Sequence, residues 1–271
     1  MKSTDDNQKK PSHNRLKHRL LLIIAILSIQ TIWAVDVYEP WTEKPEISGE
    51  YGVDLNGDYS SNLQSGSAAY SYPIKVPAGT NKLTPKLALS YNSHSATKTT
   101  GYLGAGWSMT EYYIQRNVNY TPEEDSDDYF TLTLGGGAYD LVEGDSGRYY
   151  TKIDSNMHIQ QSGDQWTIKD KSGKTYSFGG SQGAIQSSHQ THVWRYLLNE
   201  IRDTHGNKIT YTYLFSPYDG DSGAVYPDAI TYNNDGGRVI QFEYESNARP
   251  DQKVVFTQGH KSSHSRRLQK I

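Results

Sequence analysis

Two tetrapeptides have the composition of a nucleophile site. Gly144-Asp145-Ser146-Gly147 and Gly220-Asp221-Ser222-Gly223 both spell Gly-Asp-Ser-Gly. In chymotrypsin-like proteases such a stretch carries the attacking serine, and a histidine must take its proton. Neither copy is followed by Gly-Pro, and no histidine lies in an Ala-Ala-His-Cys context. Gly, Asp and Ser are also turn formers, and two copies in one chain fit turns better than two nucleophiles. Asp54, Asn56 and Asp58 place oxygen donors two apart, in the manner of a calcium loop. An EF-hand loop has its Gly sixth and its Glu twelfth, whereas here Gly57 is fourth and Ser65 twelfth. A plain Asx turn therefore competes with calcium at this loop. The acidic run Glu123 to Asp128 reads as a solvated loop, with divalent-cation binding as its alternative. His189 and His192 stand three apart. On a helix both would reach one zinc, but on a strand they face opposite sides, and their surroundings are Ser- and Gln-rich. There is no Gly-rich phosphate loop and no dinucleotide fingerprint. No catalytic, cofactor-binding or metal residue is assigned.

Composition narrows the classes further. The 271 residues include 24 Gly, 22 Tyr and no Cys. Disulfides, thiolate metal sites and cysteine nucleophiles are thereby excluded. Net charge is −3. Residues 1–19 hold six basic and two acidic side chains, leaving 21 basic and 28 acidic ones, a balance of −7. The remainder is acidic with scattered charges. Nucleic-acid binding needs a clustered basic surface, so no nucleic-acid partner is expected.

Elements that would position any chemistry begin after a leader. Lys9 to Arg19 is basic, Leu20 to Ile32 is apolar apart from Ser28, Gln30 and Thr31, and Ala34 offers a small residue for cleavage. That is the order of a secretory signal peptide. The apolar run is shorter and more interrupted than the roughly 20 residues of a bilayer span. Residues 1–34 are predicted to be a cleaved leader, with an uncleaved anchor as the alternative. The exported remainder is predicted to be secreted, with no membrane span. Residues 35–65 contain Pro40, Pro45, Gly49, Gly52 and Gly57 and read as an extended polar lead-in with little structure of its own.

From Gly66 the pattern changes to strands between Gly, Asn and Asp turns. Tyr70 to Val76 alternates and meets Pro77, which has no N–H for a ladder. Ala78-Gly79-Thr80-Asn81 is turn chemistry, because Gly and Asn tolerate positive φ. Leu87, Leu89 and Tyr91 then share one face, with Lys86, Ala88 and Ser90 on the other. Further strands are predicted at 130–134, 138–142, 148–153, 157–161, 165–169, 175–178 and 192–198. No window after the leader has apolar residues at helical spacing, so the domain 66–271 is predicted to be all-β, made of antiparallel strands and hairpins.

The stretch Tyr70 to Ser93 and the segment Leu103-Gly104-Ala105-Gly106-Trp107-Ser108 together resemble one family. They are similar to the N-terminal domain shared by the virulence-plasmid B proteins (SpvB) and the B components of insecticidal toxin complexes. The hallmark is Y-[ST]-x-P-I-x-V-P-x-G-T-x-x-L-x-P-x-L-x-L-x-Y-[NS]-S, followed by L-G-x-G-W-S. The resemblance implies strands in the wall of a large hollow β shell. With C-like and A-like components as partners, that shell encloses and delivers a toxic polypeptide. The family's ADP-ribosyltransferase activity lies in a separate domain, so no catalytic residue is carried over. Tyr72, Pro73, Pro77, Gly79, Thr80, Pro85, Gly104, Gly106 and Trp107 are carried over as structural positions. The glycines before Trp107 are expected to bring its indole onto the neighbouring sheet as a buried ring.

A weak internal repeat follows. Asp170 to Phe178, Asp203 to Tyr213, and a degenerate copy from Asp235 to Tyr244 each join an Asp/Gly turn to a strand with aromatics two apart. The turn makes a hairpin, and the aromatics stand on one face that must stack on a neighbour. The pattern resembles the tyrosine–aspartate (YD) repeats of Rhs-type proteins; ordinary hairpins are the alternative. Tyr70, Tyr72, Tyr91, Tyr211 and Tyr213 read as amphipathic sheet residues, with a sugar-binding platform as the competing reading. In the family, an Arg-Leu-x-x-Ile segment such as Arg267 to Ile271 opens another strand, so a C-terminally incomplete domain is expected. The function expected is a non-catalytic wall segment of a secreted toxin-complex B or Rhs-like protein. A cell-surface adhesin or carbohydrate-binding β module is the alternative.

Overall fold

The computed structural model describes residues 57–96, 100–121, 126–187, 192–233 and 237–271. The predicted leader, Asp54, Asn56, Glu123, Glu124, Asp125 and His189 lie outside these residues. The strands are β1 (Asp58–Asn62), β2 (Ser67–Ile74), β3 (Leu87–Asn92), β4 (Thr100–Gly101), β5 (Gly104–Ala105), β6 (Trp107–Met109), β7 (Tyr113–Asn117) and β8 (Tyr129–Leu134). Next come β9 (Gly137–Glu143), β10 (Arg148–Thr151), β11 (His158–Ser162), β12 (Gln165–Lys169), β13 (Thr175–Gly179), β14 (Ile185–Gln186) and β15 (Arg195–Arg202). The series ends with β16 (Lys208–Phe215), β17 (Val225–Tyr232), β18 (Arg238–Gln241), β19 (Glu243–Tyr244), β20 (Val255–Thr257), β21 (His260–Ser262) and β22 (Leu268–Lys270). Among the described residues the only helical pieces are three-residue 3-10 turns, and no helix is long and apolar enough to cross a membrane.

Antiparallel pairing carries β7 through β13 around a ring. β15 closes it: Arg195–Leu197 pair with β7, and Leu198–Arg202 pair with β13. The result is a closed eight-stranded barrel. Alternation along each strand sends Ile114, Leu132, Ile159, Trp166, Ile168 and Phe178 inward, where none has exposed surface. Trp166 sits 4.9 Å from the ring of Phe130 and 4.6 Å from that of Tyr149. β15 also pairs with β16 through Glu200–Arg202, and β16, β17 and β18 extend the sheet beyond the barrel.

A separate four-stranded sheet has the order β1-β2-β3-β6. Its register sets Tyr70 opposite Tyr91 and Tyr91 opposite Trp107. On the reverse face Asp58, Ser71, Ser90 and Ser108 form one directly paired row. β1 corrects the expectation for residues 35–65, since Asp58–Asn62 pair along their whole length with β2. Their side chains are all exposed, which is why no hydrophobic alternation marks the strand in the sequence.

The described end of the acidic run, Ser126 to Asp128, is held by side-chain bonds. Asp128 is nearly covered and pairs with Arg116 at 2.9 Å. Asp127 accepts from Asn119 and Thr121, at 3.0 and 2.8 Å.

Candidate functional site

The turn between β2 and β3 docks on the far end of the extended sheet. Tyr232 Oη donates to the Pro77 carbonyl at 3.0 Å, and the Arg238 guanidinium donates to that of Ala78. Thr80 N–H donates to Asn233 Oδ1 at 2.9 Å. Asn81 Nδ2 donates to Asp203 Oδ2 at 3.0 Å and to His205 Nδ1 at 2.9 Å. Positive φ falls on Asn81 and Lys82, at 53° and 61°. Gly79 is extended, at φ −78°, so it is not chosen for backbone freedom. It is chosen for space, because a Cβ there would fall on the Leu83 carbonyl and meet the Tyr232 ring. Gly79→Ala is expected to cost about 2–3 kcal/mol by forced backbone movement, read from urea melts. A loss under about 0.5 kcal/mol, as at an indifferent surface position, would show the turn to be loosely seated.

The turn at Asp203 that receives this segment shares its geometry with the first repeat turn, at Asp170. Asp170 Oδ1 accepts the N–H groups of Ser172 and Lys174, and Asp203 Oδ1 accepts those of His205 and Asn207, all within 2.8–3.1 Å. Gly173 and Gly206 take φ of 82° and 84°. Asp203 is held well below the usual carboxylate range by Asn207 and Asn81. Burial alone would raise Asp170, but its bonds from Ser172, Lys174 and Tyr176 outweigh this and lower it. Arg249 draws Asp251 down to about 2. Burial pushes His264 below its ordinary value.

These shifts fix the sign of the pH dependence. On acidification the unfolded chain protonates its histidine near 6.5 while the folded His264 stays neutral, so stability begins to fall there. The aspartates contribute stability above their unfolded value, ~3.9, and lose it as pH falls through their lower folded values. Thermal melts between pH 7 and pH 2 should therefore decline in two stages. A flat profile down to pH 3 would contradict the assignment.

The second motif segment is pinned from the other side. Arg249, almost fully buried, donates to the Gly101 carbonyl at 2.7 Å and binds Asp251 with two bonds, at 2.8 and 2.9 Å. Leu268 N–H donates to the Tyr102 carbonyl at 2.7 Å. Gly104 and Gly106 have φ of 95° and 79°. A Cβ on Gly106 would come within 2.7 Å of the Tyr91 ring. Trp107 does reach the sheet, 5.3 Å from Tyr91 and 6.4 Å from Tyr70. It is not buried, however: 38% of it is exposed, because β6 is an edge strand.

Beside this segment lies a cavity of about 380 Å³. Met109, Leu197 and Val225 give it an apolar floor, and Trp107 and Lys253 stand at exposed positions of its lining. Tyr102 Oη donates to Glu111 Oε1 at 3.0 Å, and Glu111 Oε2 lies 3.8 Å from Arg195 Nη1. The Arg195 guanidinium is 4.1 Å from the Tyr113 ring centre and 4.4 Å from that of Trp194. Of the residues singled out from the sequence for chemistry, only Tyr213 lines this cavity. Glu111, Trp194 and Arg195 stand in no motif, so spacing alone did not mark them.

The sequence candidates fall elsewhere. Ser146 is exposed in a 3-10 turn, at φ 56°. Ser222 forms a backbone bridge with Ser263. His264 directly follows Ser263 in sequence, and its Nε2 faces the Val225 carbonyl at 3.2 Å. Among the described residues no hydrogen bond joins either serine hydroxyl to a histidine. Asp58 starts β1 and is separated from the rest of its proposed calcium loop only by Gly57 and the undescribed positions before it. The five tyrosines do not form one platform. Tyr70, Tyr72 and Tyr91 lie in the four-stranded sheet, whereas Tyr211 and Tyr213 lie in β16. Tyr213 Oη donates to the Leu198 carbonyl at 2.8 Å.

The barrel with its attached sheet is the architecture of toxin-complex proteins. The solved N-terminal domain of the effector SpvB from Salmonella typhimurium strain LT2 superposes with a TM-score of 0.59 and 20% identity, over 73% of this chain and 84% of that one. The TcdB2-TccC3 structure gives 0.60 and 17%, over 79% of this chain. The Photorhabdus luminescens Tc holotoxin pore gives 0.60 and 18%, again over 79%. The chain spans only 14% and 13% of those last two. Residues 62–155 match the family model described as Salmonella virulence plasmid 65kDa B protein. The resemblance read from Tyr70–Ser93 and Leu103–Ser108 is thereby borne out. A comparison with curated proteins gives no match.

Proposed function

We propose that this chain is the non-catalytic N-terminal portion of a secreted toxin-complex B or Rhs-like protein. Its strands would contribute to a shell that encloses and delivers a toxic polypeptide, assembled with C-like and A-like components. Residues 1–34 act as the export signal. The β domain is residues 66–271, and the pairing of β1 with β2 supports extending it back to Asp58.

One observation carries this reading. Among the described residues β18 pairs only with β17, so the extended sheet ends in an open edge. Val239 on that strand is 56% exposed. An edge of this kind is a template for another strand. The repeated Asp/Gly hairpins support a sheet that grows by further copies.

The test is size-exclusion chromatography with light scattering on residues 35–271. Oligomers or aggregates are expected, and Val239→Lys should reduce them by charging the edge. A sharply melting monomer would count against the wall reading. The adhesin alternative is met by a glycan array, on which a shell wall should show no saccharide preference.

A further inference from the structure

We infer that β6 is a docking edge for an extended segment of a partner polypeptide, which adds to it as a further antiparallel strand. Among the described residues β6 pairs only with β3. The ladder fixes which backbone groups are left over. Asn92 N–H donates to the Gly106 carbonyl at 2.9 Å, and Thr110 N–H donates to the Ala88 carbonyl at 3.0 Å. The register between them is unbroken, so Ser90 and Ser108 are the bonded pair in the middle. Trp107 and Met109 occupy the alternate, non-bonded positions, and their N–H and C=O groups point away from β3. Among the described residues no hydrogen bond takes these groups up. Donors and acceptors that alternate at strand spacing are complemented group for group by another backbone.

Edges are ordinarily guarded by charge, proline or a covering element. β1 begins with Asp58 and β18 with Arg238, but β6 holds neither a charge nor a proline. Trp107 and Ser108 on it are exposed. The cavity of about 380 Å³ runs beside this strand, since Trp107, Ser108 and Met109 all line it, together with Val255 and Thr257 of β20. Trp107 and Met109 share one face of their sheet, and Ser108 lies on the other. An added strand must follow that alternation. The residues opposite Trp107 and Met109 send their side chains toward the apolar floor, and the residues between them lie by Ser108. The occupant is therefore an amphipathic strand, apolar at every second position. A compact ligand could fill the cavity, but it would not meet the row of backbone groups. This inference is independent of the shell reading, because β6 is not the edge on which that sheet grows.

The experiment is fluorescence anisotropy of a labelled, end-capped peptide of alternating Leu and Ser, titrated with the 271-residue chain. In an antiparallel addition the Leu residues stand opposite Trp107 and Met109, so the Leu N–H groups bond β6 and the Ser N–H groups point away. N-methylation of the Leu amides should weaken binding about tenfold or more, the ratio that ~1.4 kcal/mol gives. N-methylation of the Ser amides should leave binding unchanged. Trp107→Pro deletes one outward N–H, a change tolerated on an edge strand, whereas Trp107→Ala keeps it. The proline variant should bind about tenfold more weakly than the alanine variant, again a ~1.4 kcal/mol effect. If Trp107→Pro fails to fold, the two methylated peptides decide. Equal weakening by both methylations would overturn the inference, and so would the absence of peptide binding at millimolar concentration. Self-association that Trp107→Pro abolishes and the peptide fails to compete with would make the occupant a second copy, and would overturn it too.

Discussion

Trp166→Ala should lower the unfolding free energy by about 3–5 kcal/mol, the cost of emptying a large fully buried aromatic site. The indole has no exposed surface and touches rings contributed by three other barrel strands. Phe130 lies 4.9 Å away, Tyr149 4.6 Å and Tyr196 5.9 Å. These neighbours are themselves held by closed hydrogen-bond ladders, so they cannot collapse into the void. Trp107→Ala provides the contrast. That ring is 38% exposed on an edge strand, and its loss should cost only about 1 kcal/mol. Urea melts of the two variants separate the cases. Equal losses would mean that the barrel interior is not the principal core.

Asp128→Ala should cost about 3–5 kcal/mol, because it removes one partner of a largely covered ion pair. Arg116 enters the barrel mouth and stands 5.2 Å over the Phe130 ring, with Asp128 at 2.9 Å. Replacing both together, as Arg116→Met with Asp128→Leu, should recover most of the loss, since an apolar pair of similar volume carries no desolvation cost. The four-member cycle of wild type, two single variants and the double variant measures this directly. If the double variant is as unstable as the sum of the singles, the two side chains are not coupled.

Local strands were legible where one face is wet. Gln165–Lys169 has the predicted bounds, and its burial alternates strictly. Phe130–Leu134 lies within β8, with Gly135 and Gly136 at positive φ in the turn that follows. The strand expected at 192–198 shifts to Arg195–Arg202 for a physical reason. Tyr196, Leu197 and Leu198 are all buried, because β15 has packed side chains on both faces. Alternation therefore vanishes where the strand matters most. The motif around Pro77 and Gly79 was recognisable, but its purpose was not. Its partners Asp203, Asn233 and Arg238 are 122 to 160 residues away. Exposure of Trp107 was equally hidden, since burial on an edge depends on what lies beyond it.

The placement of β15 dictates an order of events during synthesis. Gln115 and Arg195 meet across the closing seam, 80 residues apart in the chain. Until that strand leaves the ribosome, β7 through β13 form an open, curled sheet with Trp166 uncovered. The same strand seeds the sheet beyond the barrel through Glu200–Arg202. One late segment thus both seals the first compartment and starts the next. A nascent chain halted just before Arg195 should be the most chaperone-dependent intermediate on the pathway, and release of about a dozen residues more should end that dependence.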